Sequence, residues 1–312
     1  MQNKSYDNLW QEVKKAEKIL LIGHRNPDGD ALGSMCAMKI WLEGEGKVFE
    51  LGCVDRPTKK YSFLPFIGDI KTQIVPNEYD LVVILDCGAH YMTNFHESNP
   101  DILATNGEND GHPFVINIDH HPSNDKFGHI NIVDSDSAST TMILYDIFEY
   151  LDVNITPDMA TCLITGIYND TGSFMHSNSS QKVFEVASDL TAKGAKVAPL
   201  IKSLFKTSTV DTLKAWGKAF SNARVTNDNC LFSVVKNGES DKNGSGDEFS
   251  GAIDYLNMVP GVEYALLLQE DKKLIKGSLR TRREDVDLSK IAQGYGGGGH
   301  QKAAGFCIKK KM

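Results

Sequence analysis

The chain has 312 residues and a formal net charge of −8 at pH 7. This length favours two domains, and the acidic balance argues against a sequence-independent grip on duplex nucleic acid, which needs a basic face. No stretch approaches the roughly 20 apolar residues that span a bilayer, and the N-terminus lacks the apolar core of a signal peptide. The six cysteines are scattered, without the spacing of a zinc or redox motif, so we expect a reduced, cytoplasmic protein that binds no membrane.

Strand and helix patterns alternate along the first part of the chain. Residues 19–22 form an apolar run that predicts a strand, and a polar loop and a helical pattern follow it. Further strands are predicted at 47–52, 81–85, 114–118 and 130–133, and helices at 139–151, 158–168 and 181–192. This alternation predicts an α/β fold with a doubly wound, mostly parallel sheet covered on both faces.

The last third of the chain has its own pattern, which predicts a smaller C-terminal α/β domain. Strands are predicted at 230–235, 263–269 and 274–280, with a solvated loop at 236–250 and a glycine-rich turn at 294–299. We therefore divide the chain into a first domain at 1–190, a helical linker at 191–209 and a second domain at 210–312.

Aspartate and histidine residues follow the predicted strands directly. The carboxyl ends of parallel strands meet at one edge of a sheet, so these side chains should converge. The set comprises His24, Asp28, Asp30, Asp86, Asp119 and His120. Imidazole and carboxylate together suit manganese, iron or zinc, and the lack of thiolates favours the harder metals. The pattern predicts a metal centre.

A further carboxylate, Asp170, ends an apolar helical segment and is the final candidate ligand. Together the candidates offer enough imidazoles and carboxylates for two ions that share one carboxylate. Such a pair can stabilise the attacking and the leaving oxygen of an in-line displacement at phosphorus. Phosphoester hydrolysis is therefore the predicted reaction class.

Five motifs, in order along the chain, resemble those of the DHH phosphoesterase family with its DHH-associated domain: GHRNPDGDALGS, LDCG, DHH, NDTGSF and GGGGHQKAAGF. The resemblance covers nearly the whole chain. The chain is similar in particular to the branch of oligoribonucleases (nanoRNases) and pAp phosphatases, and to stand-alone cyclic-dinucleotide phosphodiesterases. It implies a DHH catalytic domain at 1–190, a substrate-binding domain at 210–312, an active site in the cleft between them, and a possible homodimer.

The resemblance also implies roles for the residues of the metal centre. One Mn²⁺ would be held by His24, Asp28 and Asp86, and the second by Asp30, Asp86, His120 and Asp170. Asp86 would bridge the two ions, with a bridging hydroxide as nucleophile. His121 would hydrogen-bond the scissile phosphate, and Asp119 would orient the neighbouring imidazole or a metal-bound water.

In the second domain the resemblance implies a site that recognises the substrate. The backbone N–H groups of four glycines would contact a terminal phosphate, because glycine permits close approach; they are Gly296, Gly297, Gly298 and Gly299. Arg280 and His300 would contact the nucleotide. The chain departs from the family pattern at Met142, where relatives often carry a glutamate.

The predicted function is manganese-dependent hydrolysis of short single-stranded oligoribonucleotides and linear dinucleotides such as pApA, and of 3′-phosphoadenosine 5′-phosphate to AMP. A cyclic di-AMP phosphodiesterase would use the same metals and is an alternative. An inorganic pyrophosphatase or exopolyphosphatase is a weaker one, because the glycine run with Arg280 resembles a nucleotide-binding site. The complete ligand set argues against a non-catalytic nucleotide-binding regulator.

Overall fold

The computed structural model describes residues 2–74, 78–95, 113–205, 209–236, 249, 251–270 and 274–310. The chain forms two compact units, Met1–Thr207 and Ser208–Met312. The position of a linker at 191–209 stays a prediction. Among the described residues, no helix is both long enough and apolar enough to cross a membrane.

The first unit contains a six-stranded sheet in the order β3-β2-β1-β4-β5-β6. All of its strand pairs are parallel, which confirms the predicted α/β class. The strands are β1 Lys18–Ile22, β2 Val48–Gly52, β3 Ile70–Lys71, β4 Leu81–Leu85, β5 Phe114–Asp119 and β6 Ile130–Val133. Every residue of the central strand β4 is buried, which explains its continuous apolar sequence.

Helices follow the strands, and several begin at a capping side chain. Asp28 caps α2, Ser139 caps α3, and Thr156 caps α4, each by accepting a hydrogen bond from a backbone N–H of the first turn. The helices of this unit are α1 Gln2–Lys15, α2 Gly29–Gly44, α3 Thr140–Tyr150, α4 Pro157–Asp170, α5 Gln181–Ala192 and α6 Val197–Phe205.

The two faces of the sheet contribute to separate cores, because successive strand residues point to opposite sides. Ile19 and Leu21 belong to a large core that also contains residues of α1 to α5. Leu20 and Ile22 belong to a smaller core with side chains such as Phe95. Both faces are therefore covered, as predicted, and the helices of the described residues contribute mainly to the larger core.

The second unit also has a six-stranded sheet, in the order β11-β12-β10-β9-β8-β7. Its pairs are antiparallel except for β8 with β9. The strands are β7 Arg224–Val225, β8 Cys230–Val235, β9 Tyr264–Glu270, β10 Leu274–Arg280, β11 Gly298–His300 and β12 Ala303–Lys309; the helices are α7 Val210–Ser221, α8 Ala252–Leu256 and α9 Leu288–Gln293. The predicted loop at 236–250 falls almost entirely outside the described residues.

The predicted glycine-rich turn at 294–299 is wrong at its end. Gly298 and Gly299 lie in β11, which pairs with β12, a strand that the sequence pattern did not predict. Glycine is needed here for close packing rather than for a turn alone. A Cβ at Gly297 would lie 2.1 Å from the carbonyl oxygen of Gly305, so only a residue without a side chain lets the two segments approach.

Candidate metal centre

The ends of β1, β4 and β5 position most of the predicted ligands, and Asp170 is the last residue of α4. Asp28 follows β1 through a short polar loop, and its Oδ1 accepts hydrogen bonds from the N–H groups of Asp30 and Ala31. This N-cap fixes the loop and begins α2. Asp86 directly follows β4 with a φ of 60°, a left-handed conformation that is unfavourable for a residue with a side chain. Such local strain is typical of functional sites.

The structure brings the predicted ligands of the first unit together. Within each of three groups, one ligand atom per residue lies within 4.8 Å of the others; the groups are His24 with Asp28 and Asp86, Asp30 with His120 and Asp170, and Asp86 with His120 and His121. Asp86 belongs to two groups. Its Oδ2 is 3.5 Å from His24 Nε2, and its Oδ1 is 3.7 Å from His120 Nε2. One carboxylate therefore lies between two imidazoles.

Burial of these charges perturbs their protonation. Burial raises the pKa of Asp30 well above its usual value, and the charges of Asp86 and Asp170 raise it further. Burial alone would lower the pKa of His120, but its hydrogen bond to Asp170 and the charges of Asp170, Asp86 and Asp30 outweigh this effect and raise it to about 11. Burial would likewise lower the pKa of His24, but its hydrogen bonds to Asp28 and Asp86 and the charges of these two groups raise it well above the usual value.

These shifts reflect an excess of buried negative charge. Carboxylates packed together in a medium of low dielectric constant repel one another and bind any available cation. The donor set of imidazoles and carboxylates, without a thiolate, fits two hard or borderline divalent ions. The residues therefore fit the metal pair that the sequence predicts.

Asp119 and His121 form a separate pair beside the ligands. His121 Nδ1 lies 2.7 Å from Asp119 Oδ1. Asp119 is fully buried, and its Oδ2 accepts a hydrogen bond of 2.6 Å from Asn124 Nδ2. Burial lowers the pKa of His121, but the hydrogen bond to Asp119 and the nearby carboxylate charges raise it overall. Asp119 thus fixes the orientation of the imidazole and favours its protonated form.

Residues at the N-terminus of α3 hydrogen-bond two of the candidate ligands. The sequence did not predict these contacts. Asp30 accepts hydrogen bonds from Thr140 N at 2.6 Å, Thr141 N at 3.0 Å and Thr141 Oγ1 at 2.8 Å. Thr140 Oγ1 donates to Asp86 Oδ1 at 3.1 Å. The run of hydroxyl residues that begins at Ser139 is visible as a capping signal, but not its contact with the carboxylates. Met142 is buried in the same helix.

The predicted substrate-binding residues of the second unit have partners of their own. Arg280 Nε donates to Asp254 Oδ1 at 3.0 Å, so part of its guanidinium is already paired. The N–H groups of Gly296 and Gly297 donate to carbonyl oxygens at the end of α9, and Gly298 and Gly299 lie in β11, which pairs with β12. The backbone of His300 lies in β11, and its side chain lies outside the described part of the structure.

Two family models and a curated relative match this chain. The DHH family, N-terminal domain, matches residues 18–167, and the DHHA1 domain matches residues 227–312. A bifunctional oligoribonuclease and PAP phosphatase, NrnA, from Thermus thermophilus is 32% identical over 305 residues, which cover 96% of this chain and 88% of that protein.

Solved structures share the fold. An exopolyphosphatase-related protein from Bacteroides fragilis superposes with a TM-score of 0.88 at 23% identity, over 99% of this chain and 92% of the other. RecJ from Thermus thermophilus, solved in complex with Mn²⁺, superposes with a TM-score of 0.54 at 13% identity, over 98% of this chain and 52% of the other. With domain matches in both units and a relative along nearly its whole length, the chain belongs to the DHH family and is a hydrolytic phosphoesterase.

Proposed function

We propose that this protein is a manganese-dependent phosphoesterase that hydrolyses short single-stranded oligoribonucleotides, linear dinucleotides such as pApA, and 3′-phosphoadenosine 5′-phosphate. The main support is the convergence of imidazole and carboxylate groups around Asp86. Further support for the substrates comes from the similarity to NrnA along 96% of the chain. Manganese is proposed because the donor set suits it and because RecJ, which shares the fold, was solved with that ion.

The proposed ligand sets follow the groups of neighbouring side chains. His24 and Asp28 would hold one ion and Asp30, His120 and Asp170 the other, with Asp86 shared. Two divalent ions in such a site would supply an activated water and neutralise charge on the phosphoryl oxygens. The chain's own task is to keep the six ligands in place, which the hydrogen bonds from Thr140 and Thr141 to Asp30 support.

His121 is proposed to contact the scissile phosphate. Its Nδ1 is engaged by Asp119, so its Nε2 is the nitrogen for a phosphate oxygen. The raised pKa of His121 favours a proton on that nitrogen, and an imidazolium donor to an anionic oxygen makes a charge-assisted hydrogen bond. Asp119 would hold the ring in this orientation without contacting the substrate.

Recognition of the nucleotide is assigned to the second domain, proposed at 210–312. Gly298 and Gly299 are exposed, and a Cβ at Gly298 would meet no heavy atom within 4 Å, so a phosphate could approach the backbone at this position. Arg280 would contribute the N–H groups that Asp254 and the carbonyl oxygen of Leu279 do not occupy, and His300 is the remaining candidate. The first domain, proposed at 1–190, would carry the chemistry. A homodimer is proposed on the family resemblance alone.

A panel of substrates tests this proposal. The purified protein, loaded with Mn²⁺, should release mononucleotides from di- to pentaribonucleotides and inorganic phosphate from 3′-phosphoadenosine 5′-phosphate. Duplex RNA, cyclic di-AMP and pyrophosphate serve as comparison substrates and should be turned over much more slowly. Protein that binds manganese but hydrolyses none of the linear substrates would contradict the proposal. Faster turnover of cyclic di-AMP would favour the alternative phosphodiesterase.

A further inference from the structure

The side-chain amide of Asn169 lies between two carboxylates that are distant in sequence. Its Nδ2 is 3.1 Å from Asp28 Oδ2 and 3.1 Å from Asp170 Oδ1. These two aspartates belong to different groups of potential ligands. A single amide therefore contacts one member of each group.

The two carboxylates fix the orientation of this amide, and Tyr61 anchors its oxygen. The tyrosine is fully buried, and its hydroxyl lies 3.0 Å from Asn169 Oδ1. A carboxylate that binds a metal is ionised and can only accept hydrogen bonds, so the NH₂ group of Asn169 must point toward the two aspartates. The amide oxygen then points toward Tyr61, whose hydroxyl must donate. Without that hydroxyl, the amide loses the hydrogen bond that anchors its oxygen.

The surrounding backbone keeps both residues in place. A Cβ at Gly29 would lie 2.9 Å from Asn169 Cβ, so the start of α2 packs directly against this side chain. Tyr61 ends a short 3₁₀ helix, Lys59–Tyr61, and the hydroxyl of Ser203 in α6 donates to the carbonyl oxygen of Lys60. The amide has little room to move away from the carboxylates.

We propose that Tyr61 and Asn169 form a positioning relay that sets the separation of Asp28 and Asp170 and thereby supports the binding of both metal ions at once. The inference rests on the proposed metal pair. Neither residue is proposed to contact the substrate or the reacting atoms. Hydrogen-bond partners of ligands typically change metal affinity about 10- to 100-fold when they are removed, and here one relay acts on both ligand sets.

The test measures manganese binding to the full chain. Isothermal titration calorimetry gives the two affinities, and electron paramagnetic resonance gives the fraction of spin-coupled ion pairs. Tyr61→Phe should weaken both binding steps about tenfold, and Asn169→Ala should weaken both by up to about a hundredfold. The double variant should bind like Asn169→Ala alone, because in the proposed relay the Tyr61 hydroxyl reaches the ligands through the amide.

Tyr145→Phe is the matched control. It removes a tyrosine hydroxyl that donates to Asp189 Oδ2, also at 3.0 Å, and it should leave manganese binding unchanged. Wild-type affinity in Tyr61→Phe, a loss at one binding step only, additive losses in the double variant, or an equal loss in Tyr145→Phe would each overturn the relay. Wild-type protein that binds no manganese would instead contradict the proposed metal centre, so the two failures are distinguishable.

Discussion

The hydroxyl of Thr141 offers a direct probe of how the protein holds Asp30. Thr141→Val removes this donor while nearly preserving the side-chain volume. Asp30 would keep the two backbone donors of α3 and lose the third of its hydrogen bonds from that helix. Hydrogen bonds to charged groups contribute about 1.5–3 kcal/mol. Because two donors remain, we expect the lower end of that range, about 1.5 kcal/mol, or roughly tenfold in manganese affinity.

The loss should depend on pH in a defined direction. Burial and the charges of Asp86 and Asp170 already raise the pKa of Asp30, and loss of a donor to the ionised carboxylate raises it further. A metal must then displace a more tightly held proton, so the defect should grow as the pH falls. In the metal-free protein the variant loses two hydrogen bonds, the one to Asp30 and the one of 2.8 Å between Thr141 Oγ1 and Ser139 Oγ, and we expect the free energy of unfolding to fall by about 1–3 kcal/mol.

Manganese titrations between about pH 6.5 and 8.5 measure the loss of affinity, in a range where proton release from the ligands affects metal binding. Thermal unfolding of the metal-free protein measures the loss of stability. Thr165→Val is the matched control, since Thr165 is also fully buried but its hydroxyl donates to the carbonyl oxygen of Thr161. Wild-type manganese affinity in Thr141→Val at every pH would refute the reasoning.

Three further predictions follow from the same structure. Asp86→Asn should keep its fold but lose turnover and the second manganese, measured by circular dichroism, hydrolysis and metal titration; full activity would contradict the shared carboxylate. The pKa values of His24 and His120 are raised, the latter to about 11, so both imidazoles are protonated at pH 7 and manganese binding should release protons. Calorimetry in buffers of different ionisation enthalpy measures this release. The same observed binding heat in every buffer would mean that no protons are released and would contradict the prediction. Gly297→Ala places a Cβ 2.1 Å from the Gly305 carbonyl oxygen and should destabilise the second unit by about 1–3 kcal/mol, whereas Gly298→Ala meets open space and should not; equal melting temperatures would contradict the packing argument.

The sequence predicts the sheet of the first unit well, because its strands are continuous apolar runs. Strand β4 Leu81–Leu85 was predicted with the bounds that the structure has, and β2 Val48–Gly52 differs by one residue. The two-residue strand β3 Ile70–Lys71 is too short to leave a pattern. In the second unit, β11 and β12 were not predicted, because the glycine run before β12 indicates a turn. The last glycines of that run instead lie in the edge strand β11, which pairs with β12.

The candidate site shows the same division between local and distant signals. Residues such as His24 and Asp86 were predicted because each follows a strand and carries a side chain suited to metals. Their supporting contacts join residues far apart in sequence: 111 positions separate Thr141 from Asp30, and 108 separate Tyr61 from Asn169. A threonine near a helix start or a tyrosine in a short turn carries no signal of such a partner. Only the folded arrangement of α2, α3 and α4 reveals these contacts.

The central claim is that Asp86 is shared by two metal ions. Anomalous diffraction at the manganese edge from crystals of the Mn²⁺-loaded protein tests it most directly. The account predicts two peaks roughly 3.5–4 Å apart, one beside His24 and Asp28, the other beside His120 and Asp170, with a carboxylate oxygen of Asp86 within bonding distance of each. A single peak, or a pair of peaks that Asp86 does not contact, would contradict it.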